Sequence, residues 1–344
     1  MANAFAAIDA FWETPFVVCP EDEPRQQREL VRYATLAPNA HNTQAWQFAL
    51  GPGMIRIFPD YSRSMPHGDP GNRELWISLG CALEQLLIAA RHVGYAPTVN
   101  YFPADESEEC LRVRFLPGEP DADDALFAAI PRRQSNRNAY DGKAIPAVDL
   151  AALAQAIAHP GVHAHLFTER GEVERVVAVV KGGFAWQRGN KAFQRELYSW
   201  IRFSPGSITG KRDGLSSRAL GRPLIPDPLG RFIVKLLAIT GLEEKEIVGK
   251  IRSSSALLVL ATDDNDRLAW VEAGQSLARV KLQATARGIC CAHLNNNWQW
   301  DATKAPLQRA LALGTTHPQV AIRLGYAAPL PHAPRRAVED VVRT

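Results

Sequence analysis

The chain has 344 residues, 46% hydrophobic and 22% charged, with a net charge of +3 and a pI near 8.6. That length holds two modules or one large domain with an ample core. Its basic residues fall in scattered pairs rather than in runs interleaved with aromatics, which argues against a nucleic-acid partner. No uninterrupted apolar run approaches bilayer-spanning length, so no membrane partner is expected.

The first residues, MANAFAAIDAFWETPFVV, lack a basic n-region and carry Asp9 and Glu13, so they make a poor signal peptide. The five cysteines are odd in number and scattered, apart from adjacent Cys290 and Cys291. With no C-x-x-C pair, reduced thiols in a cytoplasmic protein are the expectation.

In chain order, residues 24–36 read as an amphipathic helix opened by Pro24 and stopped before Pro38. The runs WQFAL and MIRIFP, split by GPG, suit a β-hairpin. Residues 75–93 form a long apolar helix capped by Gly94. LRVRFL (111–116) alternates like a strand, and DADDALFAAI starts a helix with acids at its N-terminus. VDLAALAQAIA is helical, VHAHLF a strand, and 171–188 helical again. The stretch 189–232, rich in Gly and Pro, reads as irregular and as a candidate lid. SALLVLAT is a buried strand, 268–287 a long helix ending at Gly288, and QVAIRLGYA a late strand.

Two of these helices match. WISLGCALEQLLIAARHVG (76–94) and WVEAGQSLARVKLQATARG (270–288) align without gaps, sharing Trp, Gly, Leu, Ala and the final Gly. The sharper reading is an internal duplication, the plainer one two similar core helices.

Three constellations carry possible chemistry. In RRQSNRNAY, Arg133, Ser135 and Arg137 alternate, so in an extended segment all three point the same way, at an anion such as phosphate. In APNAHNTQAW, Pro38 is followed by Asn39, His41, Asn42 and Gln44, amide donors and acceptors suited to a planar heterocycle, or else a simple Asx-rich turn. In ARGICCAHLNNNWQW a helix end leads to Asn295 and Asn296. The tail adds Arg335 and Arg336, a second potential clamp. His163 and His165 share a strand face but lack a third metal ligand, so an ordinary strand surface is expected. There is no G-x-G-x-x-G, P-loop or G-x-S-x-G motif.

Together these segments resemble the FMN-dependent nitroreductase family, from about Glu29 to Val342. The family carries R-x-S-x-[RK] on the flavin phosphate and ribityl chain, an A-P-S-x-x-N-x-Q-P-W loop against the flavin, and a helix ending in Gly-Leu or Gly-Ile before a turn near flavin N5. Its closing "lGYp…p.RR" pattern is matched by RLGYAAPLPHAPRRAVEDVV. Here the A-P-N loop comes first and the arginine segment about ninety residues later, as in the duplicated, single-chain (Acg-like) branch. Asn39 stands for the usual serine and Ala45 for the usual proline. The place of a second A-P-S loop holds only FAWQRGNKAFQRELYSW.

The resemblance implies an α+β nitroreductase-like fold with mostly antiparallel sheets flanked by helices, duplicated so that one chain mimics the family dimer. It divides into halves 1–125 and 126–344, with a lid insertion at about 189–232. It implies FMN as cofactor, held by Arg133, Ser135, Arg137, Pro38, Asn39, Ala40, Asn42, Gln44, Asn295, Asn296, Arg335 and Arg336. NAD(P)H is a transient co-substrate and a nitroaromatic, quinone or similar small molecule the acceptor. His41, Tyr198, Trp200 and Arg202 are the substrate and lid candidates, with His41 the one weak candidate for catalysis. The protein is expected as a monomeric pseudo-dimer or a homodimer. The alternative is a flavin-storage protein whose lid closes the pocket; an oxidase or dehydrogenase acting on a small heterocycle or peptide is a third possibility.

Overall fold

The computed structural model describes residues 4–120, 125–294 and 301–343, with the side chains of 185, 238, 239 and 301–304 excepted. Helices α1 (Ala6–Glu13) and α2 (Glu23–Thr35) precede the hairpin β1 (Trp46–Gly51) and β2 (Met54–Pro59). Asp22 caps α2 by accepting from the Arg25 N–H, and Pro24 sits in its first turn. The long helix α3 (Arg73–His92) leads to β3 (Tyr95–Tyr101) and β4 (Leu111–Pro117). These four strands form an antiparallel sheet in the order β1-β2-β4-β3.

The chain then repeats this plan. After the short helix α4 (Ala125–Ala129) and α5 (Ala147–Gln155) comes β5 (Val162–Phe167). The helices α6 (Arg170–Gly189) and α7 (Lys191–Ser199), strand β6 (Ile201–Arg202), helix α8 (Pro205–Lys211), strand β7 (Leu215–Ser216), and helices α9 (Asp227–Thr240) and α10 (Leu242–Arg252) intervene. Then follow β8 (Ala256–Thr262), the long helix α11 (Arg267–Ala286), β9 (Cys290–His293), α12 (Asp301–Ala310) and β10 (His317–Gly325). The second sheet runs β5-β8-β10-β9. Numbered within each half, both sheets have the order first-second-fourth-third, with the long helix between the second and third strands.

The helices α3 and α11 meet where the sequence match places its shared glycine. A Cβ on Gly80 would lie 2.0 Å from the Val271 carbonyl oxygen, and one on Gly274 would lie 2.1 Å from that of Ile77. Ile77 and Val271 are themselves matched positions, so the contact is reciprocal, as across a two-fold interface. The sheets and both helices share one apolar core, in which Leu83, Leu86, Leu258, Leu277 and Ile322 are buried. The tail crosses back to the first half: the Phe48 N–H donates to the Val341 carbonyl (2.7 Å), and the Arg343 N–H to that of Phe48 (2.7 Å).

One expectation needs correction. About half of the stretch 189–232 is helical, because three of its prolines, Pro205, Pro226 and Pro228, sit at helix starts rather than fill loops. Ser204 caps α8 with Pro205 in its first turn, and a proline likewise lies in the first turn of α9. Asn190 caps α7 by accepting from the Phe193 N–H. The acidic helix start expected at residues 121–124 lies outside the described residues.

Candidate functional site

The alternating segment behaves as extended backbone dictates. It runs beside β9, bridged in parallel at Ser135 and Cys291, and the Asn136 N–H donates to the Cys291 carbonyl (3.0 Å). Arg133, Ser135 and Arg137 line one cavity. Asn136, between them, points away and donates to the Ala328 carbonyl (2.7 Å).

The loop after α2 forms the facing wall. The Asn39 carboxamide spans its own turn, accepting from the Gln44 N–H (2.9 Å) and donating to the Ala37 carbonyl (3.2 Å). The Ala40 N–H donates to Ser78 Oγ on α3 (3.1 Å). His41, Asn42 and Gln44 all have φ near +50°, a conformation that costs energy in non-glycine residues and persists where the surroundings over-determine it. Those surroundings come from remote segments. The Asn42 amide donates to the Gly214 and Pro334 carbonyls, and Gln44 donates to Arg212 and accepts from the Arg336 N–H.

Three adjoining cavities of about 60, 50 and 220 Å³ result, and Arg137 borders all three. The first is lined by Pro38, Asn39, Asn42, Arg133, Ser135 and Arg335, among others, and the second by Pro38, Asn39, Ala40, His41 and Ser135. So Pro38, Asn39, Ala40, His41, Asn42, Arg133, Ser135, Arg137 and Arg335 converge. Gln44 and Arg336 stand behind the wall, bonded to each other, and Arg336 also donates to the Asp340 carbonyl. Asn295 and Asn296 lie outside the described residues.

The cations here lack anions. Arg133 is buried, and among the described residues its guanidinium donates only to the Leu36 carbonyl (2.9 Å) while its Nε has no partner. Arg137 has no hydrogen bond or ion pair among the described residues. Burial pulls both guanidinium groups down to about 10. Arg335 is different: its donors go to the carbonyls of Thr35, Leu36, Ala37 and Pro334 and to Asn42 Oδ1. It closes the C-terminal end of α2, where a cation complements the helix dipole, and lends the cavity charge rather than hydrogen bonds.

Sequence reasoning missed four contributors. Lys281 of α11 is fully buried; its ammonium lies 3.0 Å from Ser135 Oγ and 3.0 Å from His293 Nε2, with no carboxylate partner among the described residues. Burial first, then neighbouring cations, hold Lys281 down at about 8, and burial holds His293 well below its usual value. A signal existed: Lys281 aligns with Leu87 of the matched helix. Trp12, left outside the family resemblance, stacks on His332 (4.2 Å) and lies under Arg335 and Arg133.

Of the lid candidates, Trp200 and Arg202 form a lock rather than a cavity wall. Asp213 accepts from Arg202 (2.7 and 3.0 Å) and from Arg63, and both guanidinium groups lie over the Trp200 ring. Tyr198 borders none of the three cavities; burial raises its hydroxyl pKa. The insertion reaches the cavities through other residues instead, Leu215 and Leu220 at two of them and Phe193 and Leu197 at the largest. His163 pairs with Asp263 (2.7 Å) on the strand surface.

No family model matches the chain. It is 32% identical over 323 residues to a Mycobacterium tuberculosis (strain ATCC 25618 / H37Rv) protein provisionally named NAD(P)H nitroreductase Rv3131, covering 92% of this chain and 90% of that one. It is 24% identical to a second protein of that strain, provisionally named NAD(P)H nitroreductase acg, with 91% and 94% covered. Among solved structures, the FMN-dependent nitroreductase NfnB from Mycobacterium smegmatis in complex with NADPH superimposes with a TM-score of 0.43 at 14% identity, covering 65% of this chain and 99% of that one. No helix among the described residues is long and apolar enough to cross a membrane. The first of these relatives shares enough sequence over enough of its length to fix kinship: the chain belongs to the nitroreductase family, on its Acg-like branch, as an oxidoreductase of that type.

Proposed function

We propose that the chain is an FMN-dependent oxidoreductase that draws on NAD(P)H and reduces a small acceptor such as a nitroaromatic or quinone. The observation that carries this is the cavity lined by buried Arg133 and half-buried Arg137, with the buried Lys281 ammonium set behind its Ser135 wall, none of the three having a carboxylate partner among the described residues. Buried cations without counter-charges are costly, and a phosphate-bearing ligand supplies the missing anion. The strained loop 38–42 opposite, rigid and rich in amides, suits a planar ring. FMN, when bound, supplies two-electron hydride exchange between NAD(P)H and an acceptor.

The chain's own residues bind and orient. Arg133 and Arg137 hold the phosphate and ribityl end as charged donors. Lys281 donates to the Ser135 oxygen, which leaves the Ser135 O–H to donate into the cavity. His41, lowered to about 4 by burial and then by Arg137, is neutral at pH 7, so it lines the site as an uncharged ring. Residues 1–125 and 126–344 act as the two halves of a fused pair: the first gives the loop, the second the arginine segment. The relatives' names favour a reductase over a flavin-storage protein.

The test is direct. Combined Arg133→Ala and Arg137→Ala is expected to weaken FMN binding by at least about 100-fold, since hydrogen bonds to charged groups contribute about 1.5–3 kcal/mol each. Unchanged affinity by fluorescence titration would refute the clamp. Anaerobic NADPH added to FMN-loaded protein should bleach the flavin band; retained colour would favour storage.

A further inference from the structure

The largest of the three cavities, about 220 Å³, lies between the second sheet and the helices of the insertion. Its body is apolar: Val180, Phe193, Leu197, Val234, Leu237 and Leu294 line it. Its charged residues divide into two groups. Arg222 and Lys250 are balanced by Glu246 and Glu243, with Glu246 accepting from Lys250 (2.6 Å) and Arg222 (3.2 Å), and Glu243, its pKa raised by burial, close enough to Arg222 to feel its charge.

Arg323 of β10 is not neutralised. It is 2% exposed, its Nη2 donates to the carbonyls of Asn136 (3.3 Å) and Asn138 (2.8 Å), and its Nη1 is buried without a partner among the described residues. Its guanidinium lies 4.1 Å from the Tyr140 ring centroid, and no carboxylate among the described residues pairs with it. Arg137 stands beside it, likewise without a carboxylate partner among the described residues, but Arg137 also borders the smaller cavities. Arg323 is therefore the cation that, of these two, belongs to the large cavity alone.

We propose that this cavity takes a small carboxylate with an extended apolar body, its anionic end on Arg323 and its body among the side chains of α6, α7 and α9. The reading as an oxidoreductase is needed only to name this ligand the acceptor; the binding itself stands without it. A buried arginine with a free N–H rewards a carboxylate through a charge-assisted hydrogen bond. An uncharged analogue leaves that N–H unsatisfied, and such a loss discriminates strongly between otherwise identical ligands.

The test is calorimetric titration of the full chain, with and without added FMN, using 4-phenylbutyrate and 4-phenylbutan-1-ol. These probes share one body and differ in charge. The carboxylate is expected to bind at least about 10-fold more tightly than the alcohol. Arg323→Met should bring that ratio near one, and Leu237→Trp, which fills the cavity, should weaken both probes. Equal binding of the two probes to the wild-type chain would overturn the inference, with no variant needed. So would displacement of FMN by the carboxylate, which would put it in the phosphate clamp. A chain that discriminates the probes yet holds no FMN would overturn the flavoenzyme reading and leave this inference standing. Flavin that bleaches with NADPH in a chain indifferent to the probes would do the reverse.

Discussion

Helices α3 and α11 are two solutions to one packing problem, and they differ where chemistry begins. Both carry a glycine at the crossing, and each glycine faces the carbonyl of the residue three positions before its counterpart. Seven residues beyond the crossing glycines, α3 has Leu87, buried in the core, while α11 has Lys281, fully buried against Ser135 and His293. Backbone pairing has kept its symmetry because a close helix contact tolerates nothing larger than hydrogen. Side chains beyond it have diverged, so one half presents cations and the other the loop that faces them. The two halves share a frame, and the site rests on residues that differ between them.

The frame gives the largest expected effect. Gly80→Val and Gly274→Val should each cost at least about 3 kcal/mol, because the new Cβ meets a backbone oxygen that no rotamer change can move. Thermal melts of the two variants would break the comparison if one were tolerated and the other not. A truly reciprocal contact makes their losses similar, within about 1 kcal/mol.

The asymmetry gives the next. Lys281→Leu makes α11 resemble α3. In the ligand-free wild type, Lys281 binds its proton less readily folded, at about 8, than unfolded. The unfolded chain therefore holds more protons between about pH 8 and 10.5, and stability rises with pH across that window. Lys281→Leu should abolish that rise and stabilise the ligand-free protein at pH 7 by up to about 3 kcal/mol, while weakening FMN binding. Denaturant midpoints at pH 7 and pH 10 check the sign. A variant destabilised at both values would show that the lysine is a structural anchor.

The smallest effect concerns the loop. His41 has φ +47°, and asparagine tolerates that conformation better. His41→Asn should add about 0.5–1 kcal/mol of stability. It should also remove the part of the rise with pH that His41 contributes between about 4 and 6.5, where the unfolded chain again holds more protons. Chemical denaturation at pH 5 and 7.5 measures both.

Much of the frame was legible because its signals are local. The helix at 24–36, the GPG hairpin and both long helices fall within a residue or two of their expected bounds. Alternation across Arg133, Ser135 and Arg137 predicted their shared direction, since a period of two leaves no other choice. The insertion misled for a physical reason: proline opens helices as readily as it interrupts chains, and only the caps at Asn190 and Ser204 distinguish the cases.

What the sequence by itself determined was the fold's repeated plan, the arginine segment and the loop, each readable from neighbours a few positions apart. Tertiary structure alone decided how the parts were spent. It committed Arg335 to helix carbonyls and Arg202 to Asp213, and left Arg133 and Arg323 with buried donors that meet no partner among the described residues. Whether a guanidinium is satisfied depends on carbonyls and carboxylates brought near it from as far as 300 residues away, and no local pattern encodes that distance.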